Sequence, residues 1–187
     1  AHGTTAKVYY ASKALLTAEV ASWIAADGLN IDVASGGELT AALVGGVPAG
    51  RIGLHGNNKS LREIGRAITE GVGALVVDSE IEIERIAAAA GAADRIQAVR
   101  LRINTGVHAN THDFLATARE DQKFGIPIKD APALVAKIRA ERHLRFIGLH
   151  QHVGSQIFSP EGFVESSKRL LQLHAELLAG GEIPELN

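Results

Sequence analysis

The stretch Val8-Tyr9-Tyr10-Ala11-Ser12-Lys13-Ala14 is a short apolar strand pattern that ends on a lysine, and a helical pattern follows it at once. A lysine at the carboxyl end of a buried strand is well placed to form a Schiff base, because burial lowers the pKa of the amine and exposes a nucleophilic nitrogen. Taken alone, a strand-ending lysine is more often simply solvated. A later stretch, His150-Gln151-His152-Val153-Gly154-Ser155, ends another strand of the same alternating pattern. The two strand ends are therefore predicted to meet around one ligand.

Strand and helix patterns alternate along the whole chain, at near-equal intervals up to the fifth strand. Such alternation indicates a parallel sheet covered by helices. Repeated units of similar length favour a (β/α)₈ TIM barrel over a doubly wound sheet, and a complete barrel needs about 250 residues. We count about six βα units, and Glu185-Leu186-Asn187 reads as the opening of a seventh strand. The sequence therefore predicts an α/β barrel truncated after about six units.

Composition excludes several classes of protein. The chain has 187 residues, of which 46% are hydrophobic and 21% charged, as in soluble globular domains. The net charge of −2 and the lack of a basic stripe argue against nucleic acid as a partner. There is no cysteine and no apolar run of the ~20 residues that span a bilayer, so we expect a cytoplasmic protein with no membrane partner. The absence of methionine suggests a piece of a longer protein.

Polar residues that could carry chemistry lie at or near the carboxyl ends of the predicted strands. They are Lys13, Asp32, His55, Asp78, Arg102 and His152. In a barrel these ends ring one mouth, where active sites are built. The interval 104–129 is much longer than a usual βα loop and is expected to lie over the same mouth. Each residue taken singly could be structural, but together they are the parts of a site with perturbed pKa values.

Two interpretations of the late histidines compete. His150 and His152 are two apart on one predicted strand, so they point to the same face and could bind zinc with His108, His112 and Asp113. Metal-hydrolase barrels of the amidohydrolase type, however, carry a His-x-His on the first strand, where this chain has a lysine. The other interpretation is a pyridoxal phosphate site, in which an imidazole stacks on the ring and Gly154-Ser155 donates to the phosphate. We prefer the second interpretation and predict no metal.

Five motifs, in order along the chain, resemble the barrel-type pyridoxal-phosphate decarboxylases. They are Tyr10-Ala11-Ser12-Lys13-Ala14, Asp32-Val33-Ala34-Ser35-Gly36-Gly37-Glu38-Leu39, His55-Gly56-Asn57-Asn58-Lys59-Ser60, Asp121-Gln122-Lys123-Phe124-Gly125-Ile126 and Gly148-Leu149-His150-Gln151-His152-Val153-Gly154-Ser155-Gln156. The last three are similar to the diaminopimelate decarboxylases of actinobacteria in particular. The resemblance implies a barrel of the alanine racemase and group IV decarboxylase type.

The resemblance also implies roles for individual residues. Lys13 would hold pyridoxal 5'-phosphate covalently, His152 would stack on its ring, and both would be catalytic. The residues implied to bind the cofactor are Lys13, Asp32, Glu38, Arg102, His152, Gly154 and Ser155. Arg100 has no role that the resemblance assigns and is interpreted as structural. The implied reaction is decarboxylation of meso-diaminopimelate to L-lysine and CO₂ in lysine biosynthesis.

The same resemblance sets expectations about domains and partners. Residues 1–187 are expected to be part of a pyridoxal-phosphate-binding barrel domain, with the remaining barrel units and a C-terminal β-domain absent. We expect a small amino-acid substrate, a homodimer or other homo-oligomer, and no decarboxylation by the 187-residue chain alone. Two alternatives stay open: a decarboxylase of the ornithine or arginine type, and a non-catalytic barrel fragment.

Overall fold

Parallel strands separated by helices build one sheet in the part of the chain that the computed structural model describes, residues 6–107, 124–154 and 160–187. The strands are β1 (Tyr9–Ala11), β2 (Asn30–Val33), β3 (Ile52–Leu54), β4 (Ala74–Val77), β5 (Gln97–Asn104), β6 (Ile126–Pro127), β7 (Leu144–His150) and β8 (Glu185–Leu186). The helices are α1 (Ala18–Ala26), α2 (Gly36–Val44), α3 (Leu61–Glu70), α4 (Glu80–Ala92), α5 (Ala131–Ala140) and α6 (Glu161–Leu177).

The strand order is that of a barrel. It runs β1-β2-β3-β4-β5-β7-β8 and every pairing is parallel, while the two-residue β6 pairs with β5 beside this path. A doubly wound sheet would reverse its order part-way, and this one does not. The prediction of an α/β barrel with about six βα units is confirmed, and so is the opening of a seventh strand at β8.

Local capping fixes where the first three helices begin. Thr17 and Ser35 accept hydrogen bonds from backbone N–H groups in the first turns of α1 and α2. Ser60 forms a capping box with Glu63 at the start of α3. Gly71, at φ 80°, ends α3 in the left-handed region that favours glycine.

The main hydrophobic core lies between the sheet and the helices. Neighbouring strands each contribute a fully buried side chain to it: Ile31, Leu54, Leu75, Leu101 and Leu149. Burying a side chain of this size stabilises the fold by about 1.5–3 kcal/mol. Because side chains alternate along a strand, the intervening residues face the inside of the barrel.

The inner face of the sheet carries an apolar floor and a charged layer. Ala74, Ala98 and Ile147 form the small apolar cluster. Arg100 of β5 donates to the Glu185 carboxylate of β8, at 2.6 and 2.9 Å, and to the Tyr9 hydroxyl of β1, at 2.9 Å. These bonds tie together three strands that are distant in the sequence.

The pKa values of this charged layer follow from its contacts. Burial acts to lower the pKa of Arg100, but its bonds to Glu185 and Tyr9 outweigh burial, and the pKa is raised. Burial acts to raise the pKa of Glu185, and the bonds from Lys7 and Arg100 lower it instead. Arg100 and Glu185 are therefore both held in their charged forms.

None of the helices in the described ranges combines the length and the apolar character needed to cross a membrane.

Candidate active site at the carboxyl ends of the strands

Four of the residues predicted at strand ends come together in two pairs at the mouth. His55 Nδ1 lies 3.5 Å from Asp32 Oδ2, joining the ends of β2 and β3. Arg102 Nη1 donates to Asp78 Oδ1 at 3.0 Å, joining the ends of β4 and β5. Arg102 and Asp78 are both buried, so this pair is a charge-assisted hydrogen bond shielded from water. The mouth therefore contains a fixed guanidinium and two carboxylates.

His150, the last residue of β7, lies between these pairs. Its ring centroid is 4.6 Å from that of His55 with the two planes at 67°, and its Nδ1 bonds to Asn187 Oδ1. Burial lowers the pKa of His150 to about 3, and the charges of His55, Arg102 and His152 act in the same direction. His150 is therefore neutral at neutral pH. Because an amide oxygen only accepts, its proton is assigned to Nδ1, and Nε2 carries a lone pair.

Sequence analysis missed this role of His150 and misplaced the two late histidines. They do not share a strand, since β7 ends at His150 and the half-buried His152 follows it. The alternation of side chains along β5 and β7 could have indicated the role of His150. Arg102 pairs with His150, so both side chains lie on the inner face of the sheet.

Three buried polar atoms around the mouth have no hydrogen-bond partner among the described residues. They are Ser12 Oγ, His55 Nε2 and His150 Nε2. A buried polar group without a partner costs roughly 1–3 kcal/mol. Such atoms are rare in folded proteins, and their concentration beside one opening is what a site for a polar ligand requires.

Lys13 lies in a 3₁₀ turn, Ser12–Ala14, directly after β1. The expectation of a buried strand end is wrong here, because β1 is only half-buried and Lys13 is exposed. β1 ends at Ala11, and the turn carries the next residues out of the sheet. Ser12 is buried instead of Lys13. The amine is therefore accessible at the rim rather than desolvated within the barrel.

The other predicted cofactor residues differ in what they contact. Glu38 Oε2 accepts from the Ala34 backbone at 2.6 Å, so this carboxylate holds the loop between β2 and α2. Gly154 has φ 142°, a backbone angle that favours glycine, and lies two residues beyond His152. Ser155 lies outside the described residues.

Within residues 6–107, 124–154 and 160–187, no group of three or more histidine or carboxylate side chains is arranged to hold a metal ion. The loop residues of the zinc alternative, His108, His112 and Asp113, lie outside those ranges.

A family model described as pyridoxal-dependent decarboxylase, pyridoxal binding domain, matches residues 2–183. The chain belongs to this family. It is 50% identical over 175 residues to diaminopimelate decarboxylase from Mycobacterium tuberculosis. The aligned region covers 92% of this chain and 39% of the relative. The decarboxylase family was thus correctly predicted from the five motifs.

Solved structures of decarboxylases share the fold. Diaminopimelate decarboxylase from Helicobacter pylori, solved with L-lysine, has a TM-score of 0.90 at 29% identity, covering 99% of this chain and 46% of that one. Lysine decarboxylase from Selenomonas ruminantium has a TM-score of 0.82 at 28% identity, covering 97% and 45%. The chain thus spans less than half the length of these relatives.

Proposed function

We propose that this chain supplies the cofactor-binding part of a decarboxylase that converts meso-diaminopimelate into L-lysine and CO₂, with pyridoxal 5'-phosphate as cofactor. The observation that carries the proposal is the 50% identity to the M. tuberculosis diaminopimelate decarboxylase over 92% of the chain. It is supported by the buried polar atoms at the mouth that have no partner among the described residues.

The residues at the mouth fit pyridoxal phosphate. Ser12 Oγ, His55 Nε2 and His150 Nε2 are buried atoms that a ligand with several polar groups would satisfy. The buried Arg102 guanidinium offers positive charge to an anionic group. In this proposal Lys13 would hold the cofactor covalently, His152 would stack on its ring, and Gly154 and Ser155 would bind its phosphate.

The chemistry that the cofactor supplies when bound is an electron sink for the pair released as the Cα–carboxylate bond breaks. The chain's own groups orient the bound molecule and neutralise its negative charge. Arg102 is held by Asp78 and cannot swing toward solvent without breaking a buried ion pair, so its charge is pre-positioned. His150 stays neutral and offers an acceptor at Nε2 without adding positive charge beside Arg102.

Capture of the cofactor at Lys13 is the first test. Pyridoxal phosphate added to the purified chain should give an absorbance band near about 420 nm, and borohydride reduction followed by peptide mapping should place the label on Lys13. A Lys13→Ala variant should lose both signals. Lys137, a half-buried lysine on α5 paired with Glu80 and Glu84, provides the control, and Lys137→Ala should keep both. Label scattered over surface lysines, or retained in Lys13→Ala, would contradict the proposal.

Substrate choice needs a separate experiment. A chimera in which this chain replaces the matching segment of the M. tuberculosis relative should release CO₂ and L-lysine from meso-diaminopimelate, and Lys13→Ala should abolish the release. Ornithine, arginine and lysine are the comparison substrates. Preference for any of these three would favour the alternative of an ornithine- or arginine-type decarboxylase.

The proposal extends to assembly and compartment. β1 and β8 form the edges of the sheet in the described residues, and Val8 and Leu186 beside them are exposed. Unpaired strand edges with exposed apolar residues promote association between chains. We therefore expect a homodimer or other homo-oligomer, and its association should be weaker in Leu186→Lys. The compartment that we propose for it is the cytoplasm. A monodisperse monomer of the unsubstituted chain in light scattering would refute the self-association.

A further inference from the structure

A buried ion pair lies behind the mouth, between the sheet and the helices. Lys59, in the loop before α3, and Glu82, in the first turn of α4, are 3.0 Å apart. Their side chains are only 1% and 3% exposed. Burial lowers the pKa of Lys59, and the negative charge of Glu82 opposes that effect.

Both charged groups are bonded to backbone at the ends of β3 and β4. Lys59 Nζ donates to the carbonyl of Gly56, the residue after His55, and to that of Val76, at 2.7 Å. Glu82 Oε2 accepts from the backbone N–H of Asp78 at 2.8 Å. The pair therefore fixes the backbone where two of the mouth residues are attached.

Asp78 passes this restraint to Arg102. One carboxylate oxygen of Asp78 accepts from Arg102 Nη1 at 3.0 Å, and the other accepts from the Gly125 N–H at 3.3 Å. The guanidinium carbon of Arg102 also lies 5.2 Å from the centre of the Phe124 ring. A continuous series of contacts thus runs from Lys59 through Glu82 and Asp78 to Arg102.

Stability alone is a weak reason for this arrangement. A buried ion pair is often no more stabilising than well-packed apolar residues of the same size, because both charges lose their hydration. An apolar pair could fill the space but could not accept from the Asp78 N–H. The distinctive property of Lys59 and Glu82 is therefore the position that they impose on the mouth.

We propose that Lys59 and Glu82 are positioning residues of the active site: they fix Asp78, and through it hold Arg102 in the orientation that receives the ligand. The proposal rests on the function proposed above. It assigns to the motif His55-Gly56-Asn57-Asn58-Lys59-Ser60 a mechanical role at its lysine.

Two double variants isolate the positioning effect. Lys59→Met/Glu82→Gln and Lys59→Met/Glu82→Met both remove the two charges and keep side chains of similar size. Only the glutamine variant keeps an oxygen that can accept from the Asp78 N–H. The proposal expects the Kd of pyridoxal phosphate at Lys13 to rise at least tenfold in the methionine variant and to recover most of that loss in the glutamine variant. Equal affinities in two folded double variants would overturn it.

A measurement without cofactor separates this proposal from the proposed function. Amide hydrogen exchange of Asp78 and Gly125 in the unliganded chain should be at least tenfold faster in the methionine variant than in the glutamine variant. Unchanged exchange would refute the positioning role. Failure of the unsubstituted chain to capture cofactor would refute the proposed function and leave the exchange result to decide the positioning.

Folding and charge changes have their own controls. Glu82→Asp keeps the charge of the pair and shortens the reach by one methylene, so it serves if the methionine variant does not fold. In Glu82→Asp, the amide exchange rates and the Kd of pyridoxal phosphate should both rise, as in the methionine variant. A Glu82→Asp protein in which both values are unchanged would also count against the proposal. Lys137→Met removes a half-buried lysine of α5 that bonds to Glu80 and Glu84 of α4, the helix that carries Glu82, and should alter neither measurement.

Discussion

Lowering the pH should destabilise the fold through His150. Its pKa is about 3 in the folded chain, against 6.5 for an ordinary histidine, because burial and the nearby His55, Arg102 and His152 disfavour the charged ring. The unfolded chain therefore binds the proton first as the pH falls. Well above pH 6.5, His150 does not change the free energy of unfolding. That free energy falls as the pH drops from about 6.5 to about 3, and the loss is complete below pH 3.

The size of the effect follows from the two pKa values. One pH unit between them corresponds to about 1.4 kcal/mol, so the full interval amounts to about 5 kcal/mol and the loss at pH 4.5 is about 3 kcal/mol. A domain with a total stability of roughly 5–15 kcal/mol would feel this strongly.

The assay is urea unfolding, followed by circular dichroism from pH 7 to pH 4.5, on the unsubstituted chain and on His150→Gln. All other groups titrate in both proteins, so the difference between the two curves isolates His150. The carboxylates whose pKa is lowered, Glu63 and Glu185, lose their stabilising contribution only as the pH falls below about 4.5. Parallel curves between pH 6 and 4.5 would refute the reasoning, because His150 would then accept its proton in the folded state without penalty.

Two glycine substitutions should move stability in opposite directions. A Cβ at Gly148 would lie 2.1 Å from the Glu185 carbonyl oxygen, so Gly148→Ala must push β7 and β8 apart; we expect a loss of about 3 kcal/mol in urea unfolding, and a loss below about 1 kcal/mol would contradict this. At Gly65, inside α3, a Cβ meets nothing within 4 Å. Gly65→Ala should therefore raise the free energy of unfolding by about 1 kcal/mol through helix propensity, and a lower melting temperature in thermal unfolding would contradict this.

The sequence predicted the elements well where local chemistry determines them. For α3 the signals are local: Ser60 caps its start and Gly71 its end. A helical pattern follows Lys13-Ala14 at once in the sequence, but α1 begins only at Ala18, because Thr17 is the capping residue and a 3₁₀ turn precedes it. The same turn makes Lys13 exposed, which the strand pattern before it could not indicate.

Contacts between distant segments were beyond the reach of sequence patterns. Lys59 and Glu82 are 23 positions apart, and their pairing depends on how the loop before α3 and the first turn of α4 pack together at the ends of β3 and β4. Asn187 lies 37 positions from His150 and was read only as the start of a strand. In both cases the residue type was visible in the sequence, but the partner is chosen by strand register.

The charged groups inside the barrel explain why His150 is neutral beside the fixed Arg102. Arg102 is compensated by Asp78, and Arg100, one inward position below it, is compensated by Glu185, so the two guanidinium groups add little net charge. A proton on His150 would be an uncompensated positive charge next to Arg102, with Asn187 providing only an amide oxygen. Burial prevents that charge at neutral pH, and the site keeps two different groups side by side: one permanent donor, and one acceptor whose lone pair remains available to a ligand.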